Sequence, residues 1–387
     1  MFNGISLVIY LDHNATTPVL QEVREAMLPY LSDEWGNPSS SYRFGSRMKS
    51  RVEEAREQVA GLIGCKMPRE IVFTSGGTES NNTAIHAAIM AQPDKRHIIT
   101  SQVEHSSVLT YCGYLERHHG YRVTYLPVNQ EGLLSLVDLE SALGDDVALV
   151  SLMWANNETG VLFPVAAIAE LCRGRGVPFH CDAVQAVGKL PVNVRELPVD
   201  YLTLSGHKLG VPQGVGAVYV HKKAPFVPYL HGGHQERARR GGTENVPYII
   251  GLGKGAELAR KKLPSYDRTV RVIRDELETR VLNSIPNTEI NGHAAPRLAN
   301  TSNITFHGIE SEALLLLLDQ ADICASSGSA CLADSPDPSH VIAAMNPGSA
   351  ARQCVRFSLG LQTGAQDIAK TLESLKQIAD TFGGQLS

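Results

Sequence analysis

Hydrophobic residues in the first two thirds of the chain form short continuous runs that alternate with stretches of helical period. The runs predict strands at EIVFTS (70–75), RHIITSQ (96–102), YRVTYLPV (121–128), VALVSLMW (147–154), VPFHCDA (177–183), YLTLSG (201–206) and GAVYVHK (216–222). The intervening stretches predict helices from about Thr78 and over 106–119, 136–144 and 165–176. This alternation is typical of a mostly parallel sheet with helices on both faces.

The pattern changes after about Asn245, where helical periods dominate. It predicts helices at 246–263, 268–285, 311–319 and 367–382, and strands at 299–306 and 354–360. We therefore predict an α/β fold with a large domain at 15–260 and a smaller α+β domain formed by 1–14 plus 261–387. The segment ASSGSACLADSPDPS (325–339) has no clear element, and a loop of this length in a compact domain is often functional.

Composition narrows the possible partners and location. A hydrophobic content of 43% is enough for a sizeable core, and the length of 387 residues suggests two or three domains. The net charge of -5 and the spread of lysines and arginines along the chain argue against nucleic acid or an anionic membrane as a main partner. No signal peptide and no membrane-spanning run is recognisable, so we expect a cytoplasmic protein.

The 7 cysteines are scattered and include no C-x-x-C pair. This spacing argues against a disulfide framework and against a structural zinc site, and no metal site is expected.

Polar residues follow the ends of several predicted strands, where open α/β sheets bind their ligands. Gly76, Gly77 and Thr78 open a helix and predict a cradle of amide groups for an anion. The other strand ends carry Glu104 and His105, then Asn156, Asn157 and Glu158, then Asp182 and Gln185, and last Ser205, His207 and Lys208. Each group alone has a structural explanation, such as an N-cap, a turn or a lysine that reaches water. Together they predict one site.

The chemistry of this set fits pyridoxal 5'-phosphate (PLP). That cofactor needs anion donors for its phosphate, a flat group against its ring, an acid at its pyridine nitrogen and a donor to its phenolic oxygen. It also needs an amine for a Schiff base, and Lys208 supplies one at the end of a buried strand. A nucleotide site would require a P-loop or a G-x-G-x-x-G motif, and the chain has neither.

A series of motifs resembles the NifS/IscS cysteine desulfurases, a class-V aminotransferase group, in order and spacing over nearly the whole chain. The motifs are YLDHNATTP (10–18), GNPSSSYRFG (36–45), FTSGGTESNN (73–82), EHSSVL (104–109), MWANNETG (153–160), HCDAVQAVGK (180–189), SGHKLGVPQGVG (205–216), GGHQERARRGGTEN (232–245), SSGSAC (326–331) and VRFSLG (355–360). The resemblance implies the aminotransferase-like fold (fold type I of PLP enzymes), a homodimer, and conversion of L-cysteine to L-alanine with the sulfur left as an enzyme persulfide. MWANNETG and GGHQERARRGGTEN are most similar to the NifS branch, which serves nitrogenase clusters. An iron-sulfur scaffold or another sulfur acceptor is therefore the expected partner.

The resemblance also implies roles for individual residues. Lys208 matches the Schiff-base lysine, Cys331 the cysteine that receives the sulfur, His105 the catalytic residue stacked on the cofactor ring, Asp182 the partner of the pyridine nitrogen, and Gln185 the partner of the phenolic oxygen. The phosphate positions match Gly77, Thr78, Ser205 and His207, with Thr243 contributed by the other subunit, and the substrate positions match Asn37, Asn157 and Arg356. An arginine in a predicted strand would be an awkward buried cation, and a substrate carboxylate would explain it.

The segment around Cys331 contains glycine- and serine-rich turns and two prolines, which predict a mobile excursion. Mobility suits a thiolate that must reach the substrate sulfur and then carry it to an acceptor. Three positions depart from the resemblance, namely Tyr42, Gln213 and His13, and none is expected to alter the core chemistry.

Two alternatives remain open. Another reaction on the same cofactor, such as transamination or selenocysteine cleavage, would not need Cys331. A non-catalytic sulfur or metal carrier would not need Lys208.

Overall fold

A computed structural model describes residues 8–327, 338–346 and 349–383. The strands are β1 (Ile9–Tyr10), β2 (Ile71–Thr74), β3 (His97–Ser101), β4 (Arg122–Leu126), β5 (Val147–Met153), β6 (Phe179–Asp182), β7 (Tyr201–Ser205), β8 (Gly216–Val220), β9 (Thr288–Ile290), β10 (Thr301–Phe306), β11 (Ile323–Cys324) and β12 (Cys354–Ser358). The helices are α1 (Gln21–Ser32), α2 (Arg43–Leu62), α3 (Gly77–Met90), α4 (Ser106–His119), α5 (Leu136–Ala142), α6 (Val165–Gly174), α7 (Gln235–Ala238), α8 (Val246–Ser284), α9 (Ser311–Gln320), α10 (His340–Met345) and α11 (Ala365–Gly383). Among these helices none is long and apolar enough to cross a membrane.

The main sheet has seven strands in the order β2-β8-β7-β6-β5-β3-β4. Strand β8 pairs antiparallel with β2 and β7, and the other neighbours pair in parallel. The carboxyl ends of β2, β3, β5, β6 and β7 therefore meet at one edge. Strands β5 and β8 are buried along their whole length because helices cover both faces. The predicted α/β class is confirmed.

The described residues form three hydrophobic cores. The first and the third cover opposite faces of the main sheet, and the second joins Ile9 and Leu11 to apolar residues of the C-terminal third. The second core includes one face of the antiparallel sheet β12-β10-β9, and the short parallel pair β1-β11 lies beside it. Helix α8 contributes Leu252 to the first core and Leu277 to the second. The domain boundary predicted at residue 260 falls inside this helix and stays a prediction.

The prediction of separate helices at 246–263 and 268–285 is wrong, because α8 runs without a break through Pro264. Proline removes one N–H group and normally ends or kinks a helix. Here both halves of the helix are held by packing, and Tyr266, two residues after the proline, packs against the second core. Tertiary contacts therefore outweigh the local break signal.

Candidate functional site

A cavity of about 460 Å³ lies at the carboxyl edge of the main sheet. Most of the predicted site residues line it, namely Gly77, Thr78, His105, Asn157, Asp182, Gln185, Ser205, His207, Lys208 and Arg356. All of them except Arg356 lie in the turns and strand ends of the main sheet that the sequence predicted. Arg356 lies in β12, which packs in the second core. The structure thus brings together residues that are far apart in the chain.

Three predicted residues are not among those lining the cavity. Cys331 lies outside the described residues. Asn37 and Thr243 are exposed on the surface of this chain, and the side-chain oxygen of Asn37 accepts a hydrogen bond from the amide of Ser39 at 2.9 Å. The role of Thr243 assumes a second subunit. All three assignments stay predictions.

The anion end of the cavity is formed by the start of α3. Gly76 precedes the helix with φ 151°, a backbone conformation that favours glycine. A Cβ atom on Gly216, in the neighbouring strand β8, would lie 2.8 Å from the backbone of Gly76, so this close passage also needs a glycine. The first amide groups of α3 carry the positive end of the helix dipole, which suits a phosphate.

His207 lies near this end, in the short turn that follows β7. Burial, with Lys208 and His105 nearby, lowers the pKa of His207 to about 4. Its imidazole is therefore neutral at pH 7, and it can donate one hydrogen bond. Its Nδ1 lies 3.3 Å from the hydroxyl of Thr16.

Asp182 ends β6 and is 7% exposed. Its Oδ1 accepts a hydrogen bond from the amide of Val184 at 3.0 Å, and its Oδ2 accepts one from Nδ2 of Asn81 at 2.7 Å. Donors on both oxygens hold the carboxylate in one orientation. The buried residue Asn81 was not predicted, although the polar run GTESNN contains it.

Asn81 links Asp182 to the opposite wall of the cavity. Its Nδ2 also donates to Oγ of Ser107 at 2.9 Å, and that hydroxyl lies 2.8 Å from Nδ1 of His105. His105 is the N-cap of α4, and its Nδ1 accepts a hydrogen bond from the amide of Ser107 at 3.1 Å. Because Nδ1 is the acceptor, a neutral His105 carries its proton on Nε2, and its ring orientation is fixed.

Lys208 lies in the 3-10 turn Gly206–Lys208 and is partly buried. Its Nζ donates to the main-chain oxygens of Asn14 and Ala15, the latter at 2.6 Å. The oxygen of Asn14 also accepts from Nε2 of Gln185 at 3.0 Å. The N-terminal segment therefore crosses the site beside the lysine, a contribution that the sequence analysis missed although YLDHNATTP contains these residues.

Arg356 is 1% exposed and lies within β12. Its Nη1 donates to the main-chain oxygen of Asn157 at 2.9 Å, and its Nη2 donates to Oδ1 of Asp12 at 2.6 Å. Asp12 therefore supplies a carboxylate partner within the chain, so a substrate carboxylate is not needed to explain this buried cation, and the role of Arg356 in substrate binding stays a prediction. Asn157 contributes through its carbonyl as well as by lining the cavity.

Two buried acids lie at this side of the site: Glu158 lines the cavity, and Glu104 is not among the lining residues. Burial raises the pKa of Glu104 to about 8 and also raises the pKa of Glu158. Oε1 of Glu104 accepts from the hydroxyl of Ser101 at 2.7 Å and from the amide of Met153 at 3.0 Å. Oε2 of Glu158 accepts from the hydroxyl of Ser339 at 2.6 Å. These contacts connect the ends of β3 and β5 to the start of α10.

The three departures from the resemblance lie away from the cavity lining. Tyr42 is exposed at the start of α2, and Gln213 is exposed with its Nε2 3.3 Å from the hydroxyl of Thr16. His13 is buried, which lowers its pKa to about 4, and its Nε2 lies 2.9 Å from Nε2 of Gln362. The expectation that these three residues leave the core chemistry unchanged stays a prediction.

The residues of the cavity fit PLP. Asp182 can face a pyridine nitrogen, the start of α3 can hold a phosphate, the ring of His105 can cover one face, and Lys208 offers an amine. A parallel α/β sheet that gathers these groups at its carboxyl edge defines the class of fold type I PLP enzymes.

Comparison with known proteins gives the family. Residues 9–371 match the sequence profile of the family described as aminotransferase class-V, and the chain belongs to this family. Its members depend on PLP, so the predicted cofactor is confirmed.

Individual relatives agree with this assignment over nearly their full length. A "Cysteine desulfurase 2" of Trichormus variabilis is 53% identical over 374 residues, which cover 96% of this chain and 93% of the relative. A solved "NIFS-LIKE PROTEIN" has a TM-score of 0.90 at 34% identity and covers 97% of this chain and 100% of its own. A structure titled "SspA in complex with cysteine" has a TM-score of 0.80 at 37% identity, and the match covers 91% of this chain and 98% of that one. The predicted resemblance and fold are confirmed.

Proposed function

We propose that the protein is a PLP-dependent cysteine desulfurase that converts L-cysteine to L-alanine and takes up the sulfur as a persulfide on Cys331. The observation that carries this proposal is the meeting of Lys208, Asp182 and Arg356 in one cavity. The names of the relatives, which include a cysteine desulfurase and a protein in complex with cysteine, support it.

The cofactor would be held by residues from several strand ends. Asp182 would contact the pyridine nitrogen and Gln185 the phenolic oxygen, while His105 would cover the ring. The amide groups of Gly77 and Thr78, with the side chains of Thr78, Ser205 and His207, would bind the phosphate. When bound, PLP supplies an electron sink that weakens the bonds at the substrate α-carbon.

Arg356 would orient the substrate, and Lys208 would transfer its protons. The guanidinium of Arg356, held by the carbonyl of Asn157, would bind the substrate carboxylate. Asn37 would complete the substrate pocket. The Nζ of Lys208 would take a proton from the α-carbon and later return one, and its carbonyl partners Asn14 and Ala15 would orient it.

Sulfur transfer would take place at Cys331. Its thiolate would attack the substrate sulfur, so that an S–S bond forms while the C–S bond breaks. The electron pair of the broken bond stays with the carbon, which is protonated to give the methyl group of alanine. This step needs no external oxidant or reductant.

Contacts at both ends of the segment that contains Cys331 support this role. Before it, the amide of Arg356 donates to the oxygen of Ser326 at 2.6 Å, and the amide of Ser326 donates back at 3.2 Å. After it, Ser339 bonds to Glu158, which lines the cavity. The described ends of the segment thus both lie next to the site.

We further propose a cytoplasmic homodimer in which Thr243 completes the phosphate site of the other subunit. In support, Thr243 is exposed and is not among the residues that line the cavity of its own chain. Fully active monomers in sedimentation would contradict this assembly.

The sulfur acceptor that we propose is an iron-sulfur scaffold, with a nitrogenase-related role suggested by the motifs MWANNETG and GGHQERARRGGTEN. A mixture of apo-scaffold, Fe²⁺, L-cysteine, the protein and a thiol that reduces persulfide sulfur to sulfide should form iron-sulfur clusters, whereas the same mixture with Cys331→Ala should not.

The central test is a purified protein loaded with PLP and given L-cysteine. We expect a yellow protein that releases alanine and retains sulfur on a cysteine, as measured by amino-acid analysis and mass spectrometry. A protein that releases alanine normally after Cys331 is replaced would favour a lyase reaction such as selenocysteine cleavage. A protein that binds no PLP would favour a carrier.

A further inference from the structure

Lys189 is a buried lysine that the proposed reaction does not use. It is 6% exposed and follows β6 on the turn that contains Gln185. Its Nζ donates to Oε1 of Gln185 at 2.7 Å and to Oδ1 of Asn14 at 2.9 Å. The turn that places it depends on Gly188, which has φ +81° and where a Cβ atom would lie 2.4 Å from Leu209.

The two acceptors of Lys189 are both side-chain amide oxygens. An ammonium group has three N–H donors and no acceptor, so an amide group that faces it must present its oxygen. For Gln185 this leaves the nitrogen on the other side, where Nε2 donates to the main-chain oxygen of Asn14 at 3.0 Å. The same oxygen accepts from Nζ of Lys208, so Lys189 is connected to the proposed catalytic amine through Gln185 and Asn14.

The two amides differ in how far they depend on Lys189. Oδ1 of Asn14 has a second donor, Nδ2 of Asn300 at 3.0 Å, and Nδ2 of Asn14 donates to Thr301 at 2.9 Å. Asn14 is therefore oriented without the lysine. Gln185 is 4% exposed, and removal of Lys189 would take away the donor that holds Oε1. A buried amide oxygen without a donor is costly, so the amide group would turn.

We propose that Lys189 is a positioning residue that fixes the amide group of Gln185, so that its nitrogen and not its oxygen is presented to the phenolic oxygen of the cofactor. Donation from Lys189 to Oε1 also polarises the amide and strengthens its N–H groups as donors. This inference rests on the cofactor site of the proposed function and adds a residue that orients Gln185 and does not itself contact PLP.

When Lys189 is protonated, its charge acts on the cofactor in the same direction as its hydrogen bond to Gln185. The cations near it are Lys208 and Arg356, and burial together with these two charges lowers the pKa of Lys189 well below its ordinary value. Whether charged or neutral, the group retains at least two N–H donors, which is enough for both amide oxygens. Loss of a donor, or of a cation, next to the phenolic oxygen favours the protonated form of the bound cofactor.

The test is the Lys189→Met variant, loaded with PLP and titrated with acid and base while the visible absorbance is recorded without cysteine. We expect the midpoint of the absorbance change to move up by about one pH unit, because one hydrogen bond to a charged oxygen is lost. Lys254→Met, on α8 in a pair with Glu257, is the matched control and should keep the wild-type midpoint. An unchanged midpoint in Lys189→Met would overturn the inference.

A double variant separates positioning from charge alone. In a Gln185→Ala background, Lys189→Met should add almost no further shift, because its effect passes through the missing amide. A full additional shift in that background would show that the lysine acts only by its charge, and the positioning role would be rejected. If Lys189→Met does not fold, Lys189→Leu, which also lacks any N–H donor, is expected to move the midpoint in the same direction, and no movement counts against the role.

The outcome is independent of desulfurase activity, because no cysteine is present in the titration. If the wild type releases alanine but Lys189→Met has an unchanged midpoint, the inference about Lys189 is overturned and the proposed reaction stands. A shifted midpoint in a protein that releases no alanine would leave the inference standing and reject the proposed reaction.

Discussion

Asp12 accepts a hydrogen bond from Nη2 of Arg356 at 2.6 Å, so the cation of the proposed substrate site is already part of an ion pair within the chain. The carboxylate comes from the N-terminal segment, and the arginine comes from β12, more than three hundred residues later. The pair fixes the direction of the guanidinium before substrate binds. It also means that a substrate carboxylate must use the remaining donors of the group.

Replacement of Arg356 with lysine should therefore weaken cysteine binding. Lysine keeps the charge but loses the planar fork that can bond Asp12, Asn157 and the substrate at once. We expect kcat/KM for L-cysteine to fall by about 100-fold, mainly through a higher KM. Steady-state kinetics with Arg352→Lys, an exposed neighbour, as the control would check this. Equal KM values for the two variants would argue against a carboxylate site at Arg356.

Replacement of Lys208 with alanine should abolish turnover while some cofactor remains bound. Asp182 and the start of α3 are untouched and can still hold PLP, but the amine at the end of β7 is lost. Alanine release and the visible spectrum are the measurements, with Lys223→Ala on the surface as the control. Wild-type rates in Lys208→Ala would remove the lysine from the mechanism.

The sequence predicted which residues gather at the cavity better than it predicted the contacts that hold those residues in place. Lys208, Asp182 and Gln185 follow strand ends, and parallel strands deliver such residues to one edge whatever the details of packing. Asn81 and Asn14 were missed because their roles depend on partners that are distant in the chain, and no local pattern shows them. The continuous helix α8 was missed for the same reason. Pro264 locally predicts a helix end, but the two halves of α8 pack on different cores and keep the helix intact.

Arg56 and Glu236 form a buried ion pair that should dominate the local stability. Both side chains are 2% exposed, and the guanidinium contacts the two carboxylate oxygens at 2.6 and 2.9 Å. Glu236 has a positive φ of 47°, so the pair holds a backbone conformation that is otherwise unfavourable. Removal of one partner leaves an uncompensated buried charge.

We expect Arg56→Met to lower the free energy of unfolding by about 3–5 kcal/mol in urea titrations. The double variant Arg56→Met with Glu236→Gln should recover part of the loss, because the unpaired carboxylate is gone. Arg51→Met, which removes an exposed pair with Glu54, should cost less than about 1 kcal/mol. Similar losses for Arg51 and Arg56 would contradict the importance of burial.

Glu104 should make the fold less stable as the pH rises. Its pKa is about 8 in the folded chain, against an ordinary value of 4.5, so between these values the folded state binds more protons than the unfolded state. The free energy of unfolding therefore falls with rising pH in this window, by up to about 1.4 kcal/mol per pH unit. The contribution is fully present below pH 4.5 and lost as the pH passes 8.

Glu104→Gln removes this titration and should flatten the fall in stability between pH 5 and 8. Glu158 also has a raised pKa, so part of the slope remains. Urea titrations across this pH range would measure it, with the exposed Glu54→Gln as the control. A slope unchanged from the wild type would show that Glu104 releases its proton near its ordinary pKa.

Cys331 and Cys324 offer a direct comparison of two nearby thiols. Cys324 lies in β11, paired with Tyr10 of β1, and burial with three acidic neighbours raises its pKa. A thiol that is fixed in a strand and has a raised pKa forms little thiolate and cannot move between a substrate and an acceptor. Cys331 belongs to the SSGSAC motif, beyond the described end of the same segment.

We therefore expect Cys331→Ala to bind PLP and to change its visible spectrum on addition of L-cysteine, because Lys208, Asp182 and Arg356 are intact. It should release almost no alanine and carry no persulfide, since the nucleophile that takes the sulfur is missing. Cys324→Ala should keep near wild-type turnover. Stopped-flow absorbance and mass analysis of the intact protein separate these cases. Persulfide on Cys324, or normal alanine release without Cys331, would exclude the proposed sulfur transfer and leave a lyase that shares the same cofactor site.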